Sequence, residues 1–271
     1  MFGSFFQNRR RRQLLAQPLP PDWRQTIERN VAVYSLLSNE QQRRLVDASR
    51  IIAEERHFEG CRGLAMTDEV RVTIAAQAAL LLLGEEGYYF DRVPGILVYP
   101  TAYVREHSLG WQGPVDAEAE LLGESWHRGS IILSWPAVLA GGRNPRDGQN
   151  LVLHEFAHHL DGLDGEVGGT PPLPTGRDQR KWQDVFDREY ATLCDDVALG
   201  RQTLLDPYGA LDQTELFAVS TECFFERPIA LRGRHPDLFN CLRDFYKVDP
   251  SAWFADRERE MQGPSDGEIG K

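Results

Sequence analysis

The residues from Leu151 to Asp161 contain the pattern H-E-x-x-H, in which His154 and His158 stand four positions apart. Positions four apart on an α-helix differ by only about 40° around its axis, so the two imidazoles project from one face. Such a pair suits a zinc ion, which binds histidine nitrogen at about 2.0–2.1 Å. Glu155 lies about 100° further round, where its carboxylate can take a proton from water that attacks a carbonyl carbon. The pattern therefore predicts a hydrolytic zinc site.

The apolar residues around this pattern predict a helix that is buried in the core and therefore holds its metal ligands still. They are Leu151, Val152, Phe156, Ala157 and Leu160, with Asp147 as the candidate cap at the start of the helix. The alternative interpretation is a coincidental helix whose His and Glu side chains face solvent. A chance H-E-x-x-H in a chain of this composition has odds on the order of 1 in 100, which favours the metal site.

A catalytic zinc needs a third protein ligand and an open position for water, and three acidic residues compete for that role. Glu215 lies on a predicted helix over 213–226 whose other positions are mostly apolar, so its charge needs a partner. Glu222 lies on nearly the same face and could instead accept a hydrogen bond from a ligand imidazole. Asp164 matches the spacing H-E-x-x-H-x-x-G-x-x-H with Asp last, but position 161 is not Gly and no methionine follows nearby. We favour Glu215 over the other two, and over the interpretation that both glutamates are ordinary exposed charges.

Tyr208 lies in a predicted loop shortly before Glu215. Its phenol could donate a hydrogen bond to the oxyanion of a tetrahedral intermediate, or its ring could simply pack in the loop. His159 projects about 100° away from His158, which favours a group facing solvent or substrate over a ligand. No G-x-S-x-G is present and no cysteine has a local catalytic signature, so a serine or cysteine hydrolase has little support.

The composition limits the class of protein. The chain has 271 residues, of which 41% are hydrophobic, enough for one large domain with a real core. Its formal net charge of −11 disfavours nucleic acid and anionic membranes as partners. Its four cysteines form no C-x-x-C pair and predict reduced thiols in the cytoplasm. The longest apolar run, Ile74 to Leu83, is too short to span a bilayer.

The order of the patterns predicts an α+β domain. Residues 1–20, which include Arg9 to Arg12, predict a flexible basic tail, residues 21–256 a single domain, and residues 257–271 a polar C-terminal tail. Within the domain we predict helices over about 22–37, 38–56 and 68–83, a connection at 58–64, strands at 95–100, 103–106, 118–126 and 129–135, a turn at 127–129, a linker at 136–146, and helices over about 178–197, 213–226 and 236–247. A small sheet thus precedes the H-E-x-x-H helix, with helical parts before and after it.

These motifs together resemble the Mlc titration factor A family of bacterial zinc metallopeptidases. The resemblance rests on the run His154-Glu155-Phe156-Ala157-His158, the segment from Tyr208 to Glu215, the pattern Glu215-Leu216-Phe217-Ala218-Val219-x-x-Glu222-x-Phe224-Phe225, and Phe245-Tyr246-x-x-Asp249-Pro250 near the end. It covers roughly residues 20 to 255, and the combined spacing is far more specific than H-E-x-x-H alone.

The resemblance implies a cytoplasmic gluzincin whose zincin-like core is similar to the anthrax lethal factor peptidase domain. Carried over by position, His154, His158 and Glu215 bind one zinc ion, Glu155 is the general base and Tyr208 donates a hydrogen bond in the transition state. It also implies aminopeptidase-like activity on small peptide substrates and a regulatory link to Mlc, the repressor of the glucose phosphotransferase genes. The alternative is a regulatory protein that sequesters a transcription repressor, with a structural or vestigial zinc site.

Overall fold

The computed structural model of the chain describes residues 2–85, 87–101 and 129–254. The helices there are α1 (Phe2–Ala16), α2 (Pro21–Asn30), α3 (Asn39–Glu55), α4 (Asp68–Leu80), α5 (Trp135–Arg143), α6 (Leu151–Asp161), α7 (Gly176–Ala198), α8 (Gln213–Glu226), α9 (Pro228–Arg234) and α10 (Pro236–Tyr246). The strands are β1 (Phe58–Gly60), β2 (Ile96–Tyr99) and β3 (Ile131–Ser134), which agrees with the predicted α+β class. Within these ranges, none of the helices reaches the length and apolarity that a bilayer crossing requires.

Helix α4 forms the centre of the front part of the core, as its apolar sequence predicts. Nearly all of its residues after the first turn are buried, and helices α2 and α3 pack against it. The hydroxyl of Thr67 accepts a hydrogen bond from the backbone of Val70 and so caps the helix. Helix α3 begins with a capping box between Ser38 and Gln41. Two helix ends differ from the predictions. Helix α2 ends at Asn30 and a separate 3-10 turn, Ala32–Leu36, follows it, whereas the sequence predicts one helix over about 22–37. Helix α4 ends at Leu80, and residues 81–83 form turns.

The sheet is parallel, with the strands in the order β1-β2-β3. Ile96 of the central strand pairs with Phe58 on one side and Ile131 on the other. The predicted strands at 95–100 and 129–135 are confirmed by β2 and β3. The prediction of a connection at 58–64 is wrong for its first residues, which form β1. A strand of three residues is too short to show an alternating pattern, and only its pairing with β2 makes it a strand.

Several predicted features fall on parts of the chain that the structure does not describe. The predicted strands at 103–106 and 118–126, most of the turn at 127–129 and the polar tail at 257–271 lie outside the described residues. Gly129, the last residue of that predicted turn, has a φ of 88°, a conformation that glycine adopts readily.

The predicted linker at 136–146 is mostly helical, because it includes nearly all of helix α5. The hydroxyl of Ser134 caps this helix, and Pro136 lies in the first turn, where its missing N–H costs nothing. The two glycines near the helix end are buried, and a Cβ on Gly142 would lie only 2.3 Å from the backbone oxygen of Asn30. Gly142 therefore allows close packing of α5 on α2, rather than forming the loop that the sequence suggests.

The N-terminal residues differ from the flexible tail that the sequence predicts for 1–20. Residues 2–16 form helix α1, in which the side chain of Arg11 is buried. Its guanidinium contacts the carboxylates of Glu55 and Asp91 and donates to the backbone oxygen of Gly87 at 3.4 Å. A buried arginine needs such partners to offset its lost hydration. The partners come from distant segments, so no local pattern reveals them.

Replacing Gly142 with Ala should destabilise the fold, because the new Cβ would lie 2.3 Å from the oxygen of Asn30 and 2.8 Å from Nε2 of Gln77. We expect the free energy of unfolding, measured by urea denaturation, to fall by about 1–3 kcal/mol. Gly233→Ala in helix α9 is the matched control, since a Cβ there meets no described atom within 4 Å. That variant should gain roughly 0.5–1 kcal/mol. Equal stability of Gly142→Ala and wild type would contradict the packing role.

Candidate metal centre

Helix α6 carries the H-E-x-x-H residues and is buried as predicted. Val152, Phe156, Ala157 and Leu160 lie in the core as predicted, together with Leu153, whereas the predicted Leu151 is only half-buried. The cap differs from the prediction: the side chain of Asn150, not Asp147, accepts a hydrogen bond from Leu153 N at 3.1 Å. Asp147 instead accepts from Gln149 N at 3.0 Å in the preceding loop. The helix therefore begins at Leu151, and this start sets which residues of the first turn face the site.

Helix α8 brings the acidic candidates to the same place. The carboxylate of Asp212 caps it by accepting from the backbone N–H groups of Thr214 and Glu215, both at 2.9 Å. Every residue from Leu216 to Glu226 is buried, and the helix packs along α6. The predicted helix over 213–226 is therefore confirmed, with Glu215 in its first turn.

Three side chains from these two helices converge on one point. Nε2 of His154 lies 3.1 Å from Nε2 of His158 and 3.0 Å from Oε2 of Glu215, and the remaining distance, from His158 to Glu215, is 3.4 Å. Ligands at about 2.0–2.1 Å around a tetrahedral zinc stand roughly 3.3 Å apart, so the observed spacing suits one ion. Among the His, Cys, Asp and Glu side chains of the described residues, these three are the ones close enough together to share a metal ion.

The charge and protonation of this group also suit a cation. Nδ1 of His154 lies 2.7 Å from Oε1 of Glu222, which fixes the tautomer with a lone pair on Nε2 facing the site. Oε2 of Glu215 is buried, and no donor in the described part of the chain points at it with hydrogen-bond geometry. Burial raises the pKa of Glu215, but contacts with His154 and His158 outweigh burial and lower it to about 2. A carboxylate and two imidazole nitrogens are the donors that catalytic zinc sites use.

The remaining predicted residues lie around this group. Glu155 is half-buried on helix α6, directly after His154. Tyr208 lies in a 3-10 turn, Pro207–Ala210, and its ring centroid is 6.0 Å from that of His154. The structure thus brings Tyr208 next to the histidine pair. Asp164 does not join the group: it is exposed in the 3-10 turn Gly162–Asp164, where its carboxylate accepts from Glu166 N at 3.0 Å.

His159 differs from the solvent-facing or substrate-facing residue that its position predicts. Its Nε2 lies 2.6 Å from the hydroxyl of Tyr88, and its ring packs edge-on against Phe90. Burial, together with a smaller effect of the nearby Arg92, lowers the pKa of His159 to about 4. His159 is therefore neutral near pH 7 and supports the far side of helix α6. Sequence reasoning missed Tyr88, since no motif connects it to the helix.

A second contact missed by sequence reasoning joins the C-terminal end of α6 to the start of α8. The buried carboxylate of Asp161 accepts hydrogen bonds from the backbone of Gly168 at 3.0 Å and of Gly169 at 2.8 Å. Gly169 has a φ of 75° and lies so close to Gln213 that a Cβ would come within 2.2 Å of its backbone oxygen. The loop after α6 therefore returns to the helix turn that carries Glu215. A Gly-rich loop is the only local signal of this contact.

Comparison with known proteins places this site in a family. The model of the glucose-regulated metallo-peptidase M90 family matches residues 5–247. The chain is 37% identical over 244 residues to an uncharacterized protein of Synechocystis, covering 89% of both chains. It is 31% identical to proteins named Mlc titration factor A from Serratia proteamaculans, covering 88% of this chain and 90% of the relative, and from Pectobacterium atrosepticum, covering 84% and 89%. The match includes helix α1, and the chain belongs to the glucose-regulated metallo-peptidase M90 family.

Proposed function

We propose that this protein is a zinc-dependent peptidase in which His154, His158 and Glu215 bind one zinc ion per chain. The observation that carries the proposal is the convergence of their three donor atoms at separations of 3.0–3.4 Å in a member of a metallo-peptidase family. Zinc is favoured over harder cations because two of the three donors are imidazole nitrogens. When bound, zinc would polarise the scissile carbonyl and make water more acidic.

In this proposal Glu155 is the general base. It takes a proton from the attacking water onto its carboxylate and passes that proton to the leaving amine. Its half-buried position on helix α6, directly after His154, supports this role, because the base must lie within reach of the water that it deprotonates. The family resemblance favours aminopeptidase-like cleavage of small peptides.

Tyr208 is proposed to donate its phenolic hydrogen to the oxyanion that forms during attack. The proximity of its ring to that of His154, with 6.0 Å between centroids, supports this role. The 3-10 turn that carries Tyr208 packs against helices α7 and α8, so the ring is held on a supported loop. A donor held in advance stabilises charge that appears only in the transition state.

A second candidate function is a regulatory protein that binds a transcription repressor, with a structural zinc site. The names of the Serratia and Pectobacterium relatives refer to Mlc, which supports this candidate. If neither wild-type protein nor the Glu155→Gln variant cleaves any peptide, yet both bind a Mlc-type repressor, the binding function replaces the enzymatic one.

Replacing Glu155 with Gln should lower kcat/KM for a peptide p-nitroanilide by about 10²–10⁴-fold, because the amide cannot accept the proton from water. Zinc content should stay near one per chain, since Glu155 is not a proposed ligand. Glu166→Gln is the matched control, because Glu166 is an exposed acid in the loop after α6. Wild-type rates in Glu155→Gln would exclude Glu155 as the base.

Replacing His154, His158 or Glu215 with Ala should abolish stoichiometric zinc, because each change leaves only two protein donors. Asp164→Ala should keep its zinc, since Asp164 lies outside the converging group. Elemental analysis after dialysis measures both results. Loss of zinc from Asp164→Ala together with full zinc in Glu215→Ala would reverse the choice of third ligand.

Replacing Tyr208 with Phe should lower kcat by about 10²–10³-fold at unchanged zinc content, because one oxyanion donor is lost. Tyr34→Phe is the control, since the Tyr34 hydroxyl accepts from Arg24 at 3.1 Å in the helical front. That variant should keep the wild-type kcat. A Tyr208→Phe enzyme with unchanged kcat would show that Tyr208 only packs in its loop.

A further inference from the structure

Glu226, at the end of helix α8, holds the three residues that precede the metal helix α6. Its Oε2 accepts from Gly148 N at 3.0 Å and from Gln149 N at 3.1 Å, and its Oε1 accepts from Nδ2 of Asn150 at 3.1 Å. The side chain is 3% exposed. Its removal would leave the buried Nδ2 of Asn150 and the half-buried N–H of Gly148 without this acceptor, whereas Gln149 N would keep Asp147 Oδ1 at 3.0 Å. No feature of the proposed reaction uses Glu226 directly.

Asn150 connects Glu226 to the first metal ligand. Its Oδ1 caps Leu153, its backbone N–H donates to Oε2 of Glu222, and its backbone oxygen accepts from His154 N at 3.0 Å. Helix α5 closes the remaining side, because a Cβ on Gly141 would lie 2.9 Å from Cα of Asn150. Movement of Asn150 would therefore move the first turn of α6 and with it the ring of His154.

Glu222 makes this geometry sensitive to small shifts. One carboxylate binds two points of the same helix turn, with Oε2 on the backbone of Asn150 and Oε1 at 2.7 Å from Nδ1 of His154. A shift of the turn would lengthen at least one of these contacts. Without the contact to Nδ1, the tautomer of His154 would no longer be fixed. Burial raises the pKa of Glu226, and the nearby Asp147 and Glu222 raise it further, so keeping an acid here costs free energy. An apolar residue at position 226 would avoid that cost, but it could not accept hydrogen bonds from residues 148–150.

From these contacts we infer that Glu226 is a positioning residue of the metal centre, which acts through Asn150 to hold His154 in its ligand geometry. The inference rests on the proposed metal site. Removal of Glu226 should therefore weaken metal binding, although Glu226 touches neither the proposed ligands nor the substrate.

The test is cobalt(II) binding to the purified full chain, followed by the visible d–d absorption and by competition with a chromophoric chelator. Glu226→Ala and Glu226→Gln should raise the cobalt dissociation constant by about 10–100-fold and alter the d–d bands.

Asn150→Asp should do the same, because two acids would then face each other. The double variant Asn150→Asp/Glu226→Gln should recover to within about threefold of wild type. In that variant the new amide at position 226 can donate to the new carboxylate at position 150, which can still cap Leu153.

Glu189→Ala is the matched control for loss of a partly buried carboxylate. Oε2 of Glu189 lies 2.7 Å from Nδ1 of His235, on helix α7 and away from α6. This variant should lower the melting temperature without changing cobalt affinity or spectrum. If Glu226→Ala does not fold, Glu226→Gln and the double variant decide the question.

The outcomes separate the two proposals. A wild-type chain that binds no cobalt overturns the metal site and the inference together. A wild-type chain that binds cobalt, with Glu226→Ala and Glu226→Gln binding it equally well, overturns only the role of Glu226. Weak binding in the single variants without recovery in the double variant shows general destabilisation and also overturns the positioning role.

Discussion

The packing of helix α8 along helix α6 is the interaction on which the rest of this structure depends. The two helices run in opposite directions, because the start of α8 contacts the loop after α6 and its end contacts the loop before α6. Glu215, Glu222 and Glu226 fall within about 40° of one another around the axis of α8, so one helix face meets the ligand face of α6. If the helices slid by one residue, Glu215 would leave the two imidazoles and Glu222 would leave His154. At one end, Glu222 and Glu226 accept hydrogen bonds from Asn150, and at the other end the loop that is hydrogen-bonded to Asp161 packs against Gln213.

The electrostatics of that face suit a bound cation. Glu215 and Glu222 are removed from most solvent, and carboxylates in such a place are expensive unless positive charge or N–H donors face them. The backbone N–H of Asn150 donates to Glu222, and the imidazole of His154 faces both carboxylates. A divalent ion among the three converging donors would offset the remaining negative charge. A bound ion would thus both stabilise the buried carboxylates and serve the proposed reaction.

The opposite side of α6 packs against residues 87–92, which in turn contact helix α1. Tyr88 contacts His159, and the ring of Phe90 packs 4.5 Å from that of Phe156. Arg11 of helix α1 donates to the backbone oxygen of Gly87, next to Tyr88. Helix α1 therefore belongs to the support of the metal helix, which accords with the family match beginning at residue 5. The metal helix lies between a polar contact face toward α8 and an aromatic face toward residues 87–92.

The sequence by itself determined the features that depend on local helix geometry. The period of 3.6 residues places His154 and His158 on one face whatever surrounds them, and apolar spacing identified α4, α6 and α8 as buried. Only the tertiary structure shows that Glu215 lies beside both histidines, that Glu222 contacts Nδ1 of His154 and that Asp164 lies elsewhere, because these distances depend on how the intervening loop and α7 return the chain to α6. It also decided the contacts of Asn150, Glu226 and Arg11, the strand β1 and the helix α5. These features depend on partners that are distant in sequence. A local sequence pattern cannot identify such a partner, because only the folded chain brings the two together.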